Sequence, residues 1–217
     1  MRQQRTSRQW LHLVLPLALT GCLSLPSSGA KDASSIYTLR ASASASAAAA
    51  AKTPTPAQAR GREVVVVPKP ELPAGLGTER IALYLQEGRK LDYYADAKWS
   101  ARLDDLLQDY VIQRAKQDLP GKVVGTPDLA PSARYRLALK VTDFGPVYAD
   151  MADKAPRLDV ALTATVIALP GETVKTQFTV KKSSAASANS LTAITNELGT
   201  LLASATDETL QKARPYF

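Results

Sequence analysis

Cys22 is the only cysteine in the 217-residue chain, and it follows Leu19, Thr20 and Gly21 directly. This order of residues is the pattern of a bacterial lipobox, in which the cysteine thiol takes a diacylglyceryl group. The small residue Gly21 lets a signal peptidase cut the chain before Cys22. The spacing therefore predicts lipidation of Cys22 as the first residue of the mature chain. The alternative is an ordinary secretory signal with a chance cysteine.

The residues before Cys22 have the charge and hydropathy of a signal peptide. Three positive residues and no acid open the chain: Arg2, Arg5 and Arg8. Residues 10–19 are apolar apart from His12, and this run is too short to span a bilayer comfortably. We therefore predict a lipoprotein signal peptide over residues 1–21.

The residues after the cysteine predict where the chain is anchored. Leu23 stands where an Asp, in enterobacteria-like sorting, retains lipoproteins in the inner membrane, so it favours the outer membrane. Residues 22–35 are rich in Ser and predict a flexible tether. No later stretch is long and apolar enough to span a bilayer, so the acyl chains on Cys22 are the predicted membrane anchor.

Cleavage of this signal and lipidation of Cys22 would limit the chemistry open to the mature chain. The only histidine, His12, lies within it, so the mature chain has neither histidine nor a free thiol. This excludes Cys/His metal sites and Ser-His or Cys-His dyads, and we expect no cofactor and no metal. The mature chain keeps 24 basic and 20 acidic residues, a mild excess without a basic run. Nucleic acid is therefore not an expected partner, whereas anionic lipid or an acidic protein is compatible with this charge.

One short segment keeps an enzymatic alternative open. Lys181, Lys182, Ser183 and Ser184 are adjacent in the sequence, but adjacency alone does not make a catalytic dyad. The prediction is that the protein is not an enzyme.

Residues 80–119 predict a hairpin followed by a long helix. Apolar residues alternate over 81–85, Glu87-Gly88 suits a tight turn, and a second strand covers residues 90–95. Asp96 is the expected N-cap of the helix. Its apolar stripe follows i, i+3 and i+4 spacing and contains Trp99, Leu103, Leu106, Leu107, Tyr110, Val111 and Ala115.

The rest of the chain predicts more strands and a second helix. The valines of residues 63–67 indicate a strand buried on both faces. Residues 134–144, 158–169 and 174–180 alternate between apolar and polar and predict antiparallel strands with one face partly wet. Residues 191–210 predict an amphipathic helix with Asn189 or Ser190 as its cap. Residues 40–61, rich in Ala and Ser, predict a low-complexity insertion.

The hairpin and helix resemble the ABC-type transport auxiliary lipoproteins, the PqiC-like family. The resemblance rests on a Leu-x-Tyr-Tyr strand end, a Trp and a leucine-bearing helix: Leu91, Tyr93, Tyr94, Trp99, Leu103, Leu106 and Leu107. Each of these residues is expected to be in the core. The resemblance covers residues 36–217 and implies an α/β domain similar to the TolB N-terminal domain. Its mixed, largely antiparallel sheet would be flanked by two long helices.

The same resemblance implies a function. The family is associated with MCE proteins and with the permease and ATPase of ABC transporters that move lipids between two membranes. This chain would then be the outer-membrane, periplasm-facing lipoprotein that docks such a system. The resemblance also implies a ring-like homo-oligomer. The alternatives are a periplasmic lipid-binding carrier, whose apolar faces enclose a cavity, and a histidine-independent periplasmic enzyme.

Overall fold

The computed structural model describes residues 34–40, 63–149 and 154–217. The predicted signal peptide, Cys22, most of the tether and residues 41–61 of the predicted insertion lie outside these ranges. One compact unit runs from Ser34 to Phe217. Within the described residues, no helix has the length and apolar character needed to cross a membrane.

The described residues form a mixed α/β fold with eight strands and two long helices. The chain order is β1 (Ser35–Tyr37), β2 (Val64–Val66), β3 (Arg80–Leu85), β4 (Lys90–Trp99), α1 (Leu103–Asp118), β5 (Val123–Gly125), β6 (Ala133–Val147), β7 (Arg157–Ala168), β8 (Thr173–Ala185) and α2 (Leu191–Ala213). Short 3-10 helices cover Pro127–Ser132 and Arg214–Tyr216. The predicted fold class is confirmed.

The sheet is organised around β6, its longest strand. One edge of β6 pairs with β7, and β7 pairs with β8, both antiparallel, as the alternating patterns predicted. The other edge of β6 pairs in parallel with β2 near its start and with β3 at Val147. Between these two strands, Glu71 forms a parallel bridge to Lys140. The parallel pairing of β1 with β4 and of β5 with β2 completes an open sheet.

Both helices pack on one face of this sheet. Alternation along β6 turns Leu137, Leu139 and Val141 toward the helices. Val141 packs with Leu103 of α1 and Leu202 of α2 in one buried cluster. A second buried cluster contains residues of both helices and of strands β2, β6 and β7. Its members include Val65, Val67, Val111, Ile112, Ala115, Leu137, Leu139, Ala164, Val166 and Leu210. The burial of Val65, Val66 and Val67 agrees with the predicted doubly covered strand.

The predicted start of α1 is wrong. Asp96 is not an N-cap, and Trp99 is not helical, because β4 continues to Trp99. The extra residues pair with β1, where Ala97 faces Ser35 and Trp99 faces Tyr37. Helix α1 begins at Leu103, and Arg102 makes no side-chain cap. The backbone N–H of Leu103 instead donates to the carbonyl of Thr78 at 3.1 Å, so a tertiary contact replaces the cap.

The end of α1 and the start of α2 agree with the prediction, whereas α2 continues beyond the predicted residue 210 to Ala213. Helix α1 ends at Asp118, before Leu119 and Pro120. Ser190 caps α2, since its hydroxyl accepts from the N–H of Ala193 at 3.3 Å. The end of the chain packs, with the ring of Phe217 edge-on to Tyr135 at a centroid distance of 5.7 Å.

Candidate docking surface

The seven residues that carried the family resemblance lie at the junction of β4 and α1. Leu91, Tyr93, Tyr94 and Trp99 are on β4, and Leu103, Leu106 and Leu107 are on α1. Trp99 is 2% exposed and packs at 6.3 Å, centroid to centroid, from Phe144 of β6. Leu103 and Leu107 are buried beside it, while Leu91, Tyr93, Tyr94 and Leu106 are partly buried.

Tyr93 fastens the loop between β2 and β3 onto the sheet. Its hydroxyl donates to the carbonyl of Gly75 at 3.0 Å, and the guanidinium of Arg80 lies 3.7 Å from its ring centroid. Gly75 has a φ of +92°, and a Cβ there would lie 2.6 Å from Cδ2 of Leu91. Only glycine therefore fits this close approach without strain.

Tyr94 begins a chain of hydrogen bonds that joins the sheet to the start of α2. The Tyr148 hydroxyl donates to Oδ1 of Asn189 at 2.8 Å, and the Tyr94 hydroxyl lies 2.9 Å from that of Tyr148. Since the Tyr148 proton is directed to Asn189, Tyr94 is the donor to Tyr148. Burial raises the pKa of Tyr94, and the hydrogen bond with Tyr148 raises it further. Tyr94 is therefore a neutral phenol at neutral pH and can donate this hydrogen bond.

The face of β6, β7 and β8 that points away from both helices carries polar side chains. We call this the outer face and define it by Lys140, Thr163, Thr165, Gln177, Thr179 and Lys181. The strand register places Lys140, Thr163 and Thr179 side by side. The hydroxyls of Thr163 and Thr179 lie 2.8 Å apart, and Gln177 donates to Thr165 at 3.1 Å. These cross-strand pairs hold the polar side chains of the outer face in fixed positions relative to one another.

An ion pair borders the outer face at one end. The Arg157 guanidinium lies 2.9 Å from Asp159, and the Ser183 hydroxyl donates to the same carboxylate at 2.6 Å. Burial opposes ionisation of Asp159, but these two hydrogen bonds outweigh it and lower the pKa of Asp159. The carboxylate therefore stays charged at neutral pH, held by its own neighbours.

Strand β8 forms one edge of the sheet. Its 13 residues pair only with β7 among the residues that the structure describes. A strand edge presents free N–H and C=O groups that another strand can pair with. The outer face and this edge together form a polar surface that none of the described residues covers, and this is the candidate docking surface.

The lysines and serines weighed as an enzymatic group do not converge. Lys181 and Lys182 are adjacent in β8, so their side chains point to opposite faces of the sheet. Lys182 forms an ion pair with Glu208 of α2 at 2.6 Å. Ser183 donates to Asp159, whose pKa, despite burial, is lowered by its hydrogen bonds with Arg157 and Ser183, so this carboxylate is a weak base for activating the hydroxyl. Within the described ranges, no group of three His, Cys, Asp or Glu residues is placed to hold a metal ion.

Two open clefts lie among the described residues. One, of about 310 Å³, lies at the loop before β3 and is lined by residues that include Leu72, Gly75, Arg102 and Asp104. The other, of about 530 Å³, lies where β6 begins and β7 ends. It is lined by residues that include Glu63, Ser132, Arg134, Tyr135, Leu169 and Lys175.

The model of one protein family, the ABC-type transport auxiliary lipoprotein component, matches residues 37–209. The chain belongs to this family. The resemblance drawn from the hairpin and helix is thereby confirmed, and the auxiliary lipoprotein is a component associated with an ABC-type transport system.

Solved structures share the fold of this auxiliary lipoprotein. A DUF330 protein from Xanthomonas campestris is 22% identical, with a TM-score of 0.63, over 83% of this chain and 95% of that one. The structure of an uncharacterized protein is 12% identical, with a TM-score of 0.62, over 82% and 97%. No curated protein matches the chain.

Some polar residues of the auxiliary lipoprotein were missed in the sequence. Gln108 is buried and donates to the carbonyl of Val67 at 2.8 Å. Arg114, near the end of α1, is buried and forms an ion pair with Asp207 of α2. Each is adjacent in sequence to a residue of the apolar stripe of α1, and this adjacency is the one sign of their burial in the sequence. Gly21 and Cys22 lie outside the described residues, so lipidation stays a prediction.

Proposed function

We propose that this auxiliary lipoprotein is held in the outer membrane by acyl chains on Cys22, facing the periplasm. There it acts as a non-catalytic docking adaptor. Its partners would be an MCE-type periplasmic protein and the permease and ATPase of an ABC-type intermembrane lipid transport system. The observation that carries the proposal is the uncovered outer face of β6–β8 with the free edge of β8, a surface on which a partner can dock.

The docking role fits the physics of a tethered domain. A lipid anchor and a flexible tether confine a binding surface near the membrane, which raises its effective concentration without any new contact. A rigid sheet is a precise platform for such a surface, because cross-strand pairs fix its side chains.

The core favours docking over the carrier alternative. A carrier needs apolar faces that enclose a cavity, whereas the inner face of this sheet packs directly against both helices. The two clefts are open and of the size that small ligands occupy. The enzymatic alternative is weakened because Lys182 and Ser183 are each engaged by a carboxylate.

Self-association is part of the proposal. The free edge of β8 can pair with a strand of a second copy, which would give a homo-oligomer. Light scattering of the purified chain measures its mass. A monomer at all concentrations would contradict self-association but not the docking of an MCE-type partner.

The test is capture of an MCE-type periplasmic protein from the same organism. The full chain in nonionic detergent should retain that partner. The variant T179E/K181E changes the outer face and should lose it. The control K116E/Q113E makes the same change in charge on the exposed side of α1, and it should bind as the wild type does. Equal binding by both variants, or no binding by the wild type, would contradict the docking surface.

A further inference from the structure

The cleft at the start of β6 has the chemistry of a site for an anion. It is lined by residues that include Arg134 on β6, Lys175 on β8 and the hydroxyl-bearing Ser132, and its volume is about 530 Å³. Pockets of a few hundred Å³ hold small organic ligands. The backbone N–H of Leu169 donates to the carbonyl of Arg134 at 2.7 Å, which fixes one wall of the cleft.

The positive charge of the cleft is not neutralised by its own acid. Glu63 lines the cleft, but its carboxylate forms an ion pair with Lys122. The nearby acid Glu172, in the turn between β7 and β8, forms an ion pair with Arg136 of β6 at 3.0 Å. Among the described residues, Arg134 and Lys175 form no ion pair, and both side chains are exposed. The cleft therefore presents two free cations.

The remaining wall is apolar and aromatic. Leu169 and the ring of Tyr135 line it, and Tyr135 is supported edge-on by Phe217 at 5.7 Å. Such a wall can cover the uncharged part of a ligand, while the cations hold its charged end. A small inorganic anion would leave the wall unused.

We propose that this cleft binds an organic phosphate. The planar guanidinium of Arg134 matches two phosphate oxygens at once, and the ammonium of Lys175 adds a point charge. Ser132 can donate to a third oxygen, and the organic part lies against Tyr135 and Leu169. A phospholipid headgroup and a soluble phosphate ester share this chemistry. The site does not depend on the proposed docking, because none of these residues defines the outer face.

The test titrates the purified full chain in nonionic detergent by calorimetry. The probes are glycerol 3-phosphate, dihexanoylphosphatidylglycerol, inorganic phosphate and acetate. The variant R134Q/K175Q removes both cations of the cleft. The control R89Q/K116Q removes one arginine and one lysine from exposed positions in the β3–β4 turn and on α1. Circular dichroism and the unfolding midpoint of each variant verify that the fold is retained.

We expect the wild type and the control to bind both organic phosphates more tightly than inorganic phosphate or acetate. In R134Q/K175Q the dissociation constant should rise by about tenfold or more, since two charged contacts are lost. Tighter binding of the short-chain lipid assigns the site to a headgroup, and tighter binding of glycerol 3-phosphate assigns it to a soluble ester. The proposal is overturned by an equal loss in both variants, by acetate binding as tightly, or by no organic phosphate binding to the wild type. A failed partner capture with intact phosphate binding would remove the docking proposal only.

Discussion

The guanidinium of Arg114 on α1 forms an ion pair with the carboxylate of Asp207 on α2, and its Nε lies 2.9 Å from Oδ1. The Arg114 side chain is 4% exposed, whereas that of Asp207 is 44% exposed. The pair therefore links the two helices that pack on the sheet. Its cation is buried, and its anion is partly exposed to solvent.

Removing the anion of this pair should destabilise the fold. Asp207→Asn takes away the negative charge that faces a buried cation, and we expect a loss of about 2 kcal/mol in the free energy of unfolding, reduced by the partial exposure of Asp207. Urea unfolding measures it. Glu208→Gln, on the same helix and in a partly exposed network with Lys182 and Lys212, should cost less than Asp207→Asn, because neither of its lysine partners is buried as Arg114 is. A larger loss in the control would contradict the assignment.

Asp118 should make the fold less stable at neutral pH. Burial raises the pKa of Asp118 and the charge of Asp207 raises it too, although Arg114 acts in the opposite direction. A raised folded-state pKa favours the protonated form. The stabilisation is therefore complete below the unfolded pKa and is lost as pH rises through the folded value.

The corresponding variant is Asp118→Asn, which resembles the protonated carboxyl. At pH 7 we expect its urea midpoint to lie above that of the wild type, and the difference should vanish near pH 3. The negative charge of Asp118 at the C-terminal end of α1 opposes the helix dipole and adds to this effect. Asp109→Asn, at an exposed position of α1, serves as the control and should show no such pH-dependent gain.

The hydroxyl of Tyr148 should contribute to stability because it lies between two partners. Tyr148 is 3% exposed, and Tyr148→Phe removes both the donor to Asn189 and the acceptor for Tyr94. We expect a loss of about 1–3 kcal/mol in unfolding free energy. Tyr216→Phe, at an exposed ring, should be near neutral. Equal midpoints for the two variants would show that the hydroxyl chain contributes nothing.

The strands and helices that periodicity specifies were predictable from the sequence. Residues 134–144 alternate strictly, and they lie in β6 with Leu137 and Leu139 inward. The number and order of strands were not predictable, because the short strands β1 and β5 form by parallel pairing with strands that are distant in the sequence. Trp99 has the spacing of the helix stripe but lies on β4, since pairing with Tyr37 prevails over local pattern.

The candidate surfaces, too, were predictable only in part. The polar alternation of β7 and β8 predicted a wet face, and the outer face lies there. The cleft at Arg134 and Lys175 was not predicted, because these residues come from strands separated by the whole of β7 and meet only through register. The ion pair of Arg114 was not predicted, because its partner Asp207 lies 93 positions away in the sequence.

Lipidation of Cys22 is the prediction on which the membrane location depends. The sequence places a thiol after Leu19, Thr20 and Gly21, behind a short apolar run. Mass spectrometry of the wild-type membrane fraction should show an acylated N-terminal Cys22, and Cys22→Ala should abolish acylation. The first described element of the fold begins at Ser35, so we expect the unfolding midpoint of the variant to be unchanged.

The matched control for this experiment is Leu23→Asp, which keeps the thiol and changes only the sorting position. It should remain acylated and, where sorting follows the enterobacterial pattern, move from the outer to the inner membrane fraction. The two variants separate membrane attachment from the choice of membrane. Cys22→Ala should no longer attach to a membrane, whereas Leu23→Asp should attach to the inner instead of the outer membrane. Recovery of unacylated, freely soluble wild-type chain from cells with intact lipoprotein processing would contradict the lipid anchor. An acylated Leu23→Asp chain that stays in the outer membrane would contradict only the role of Leu23.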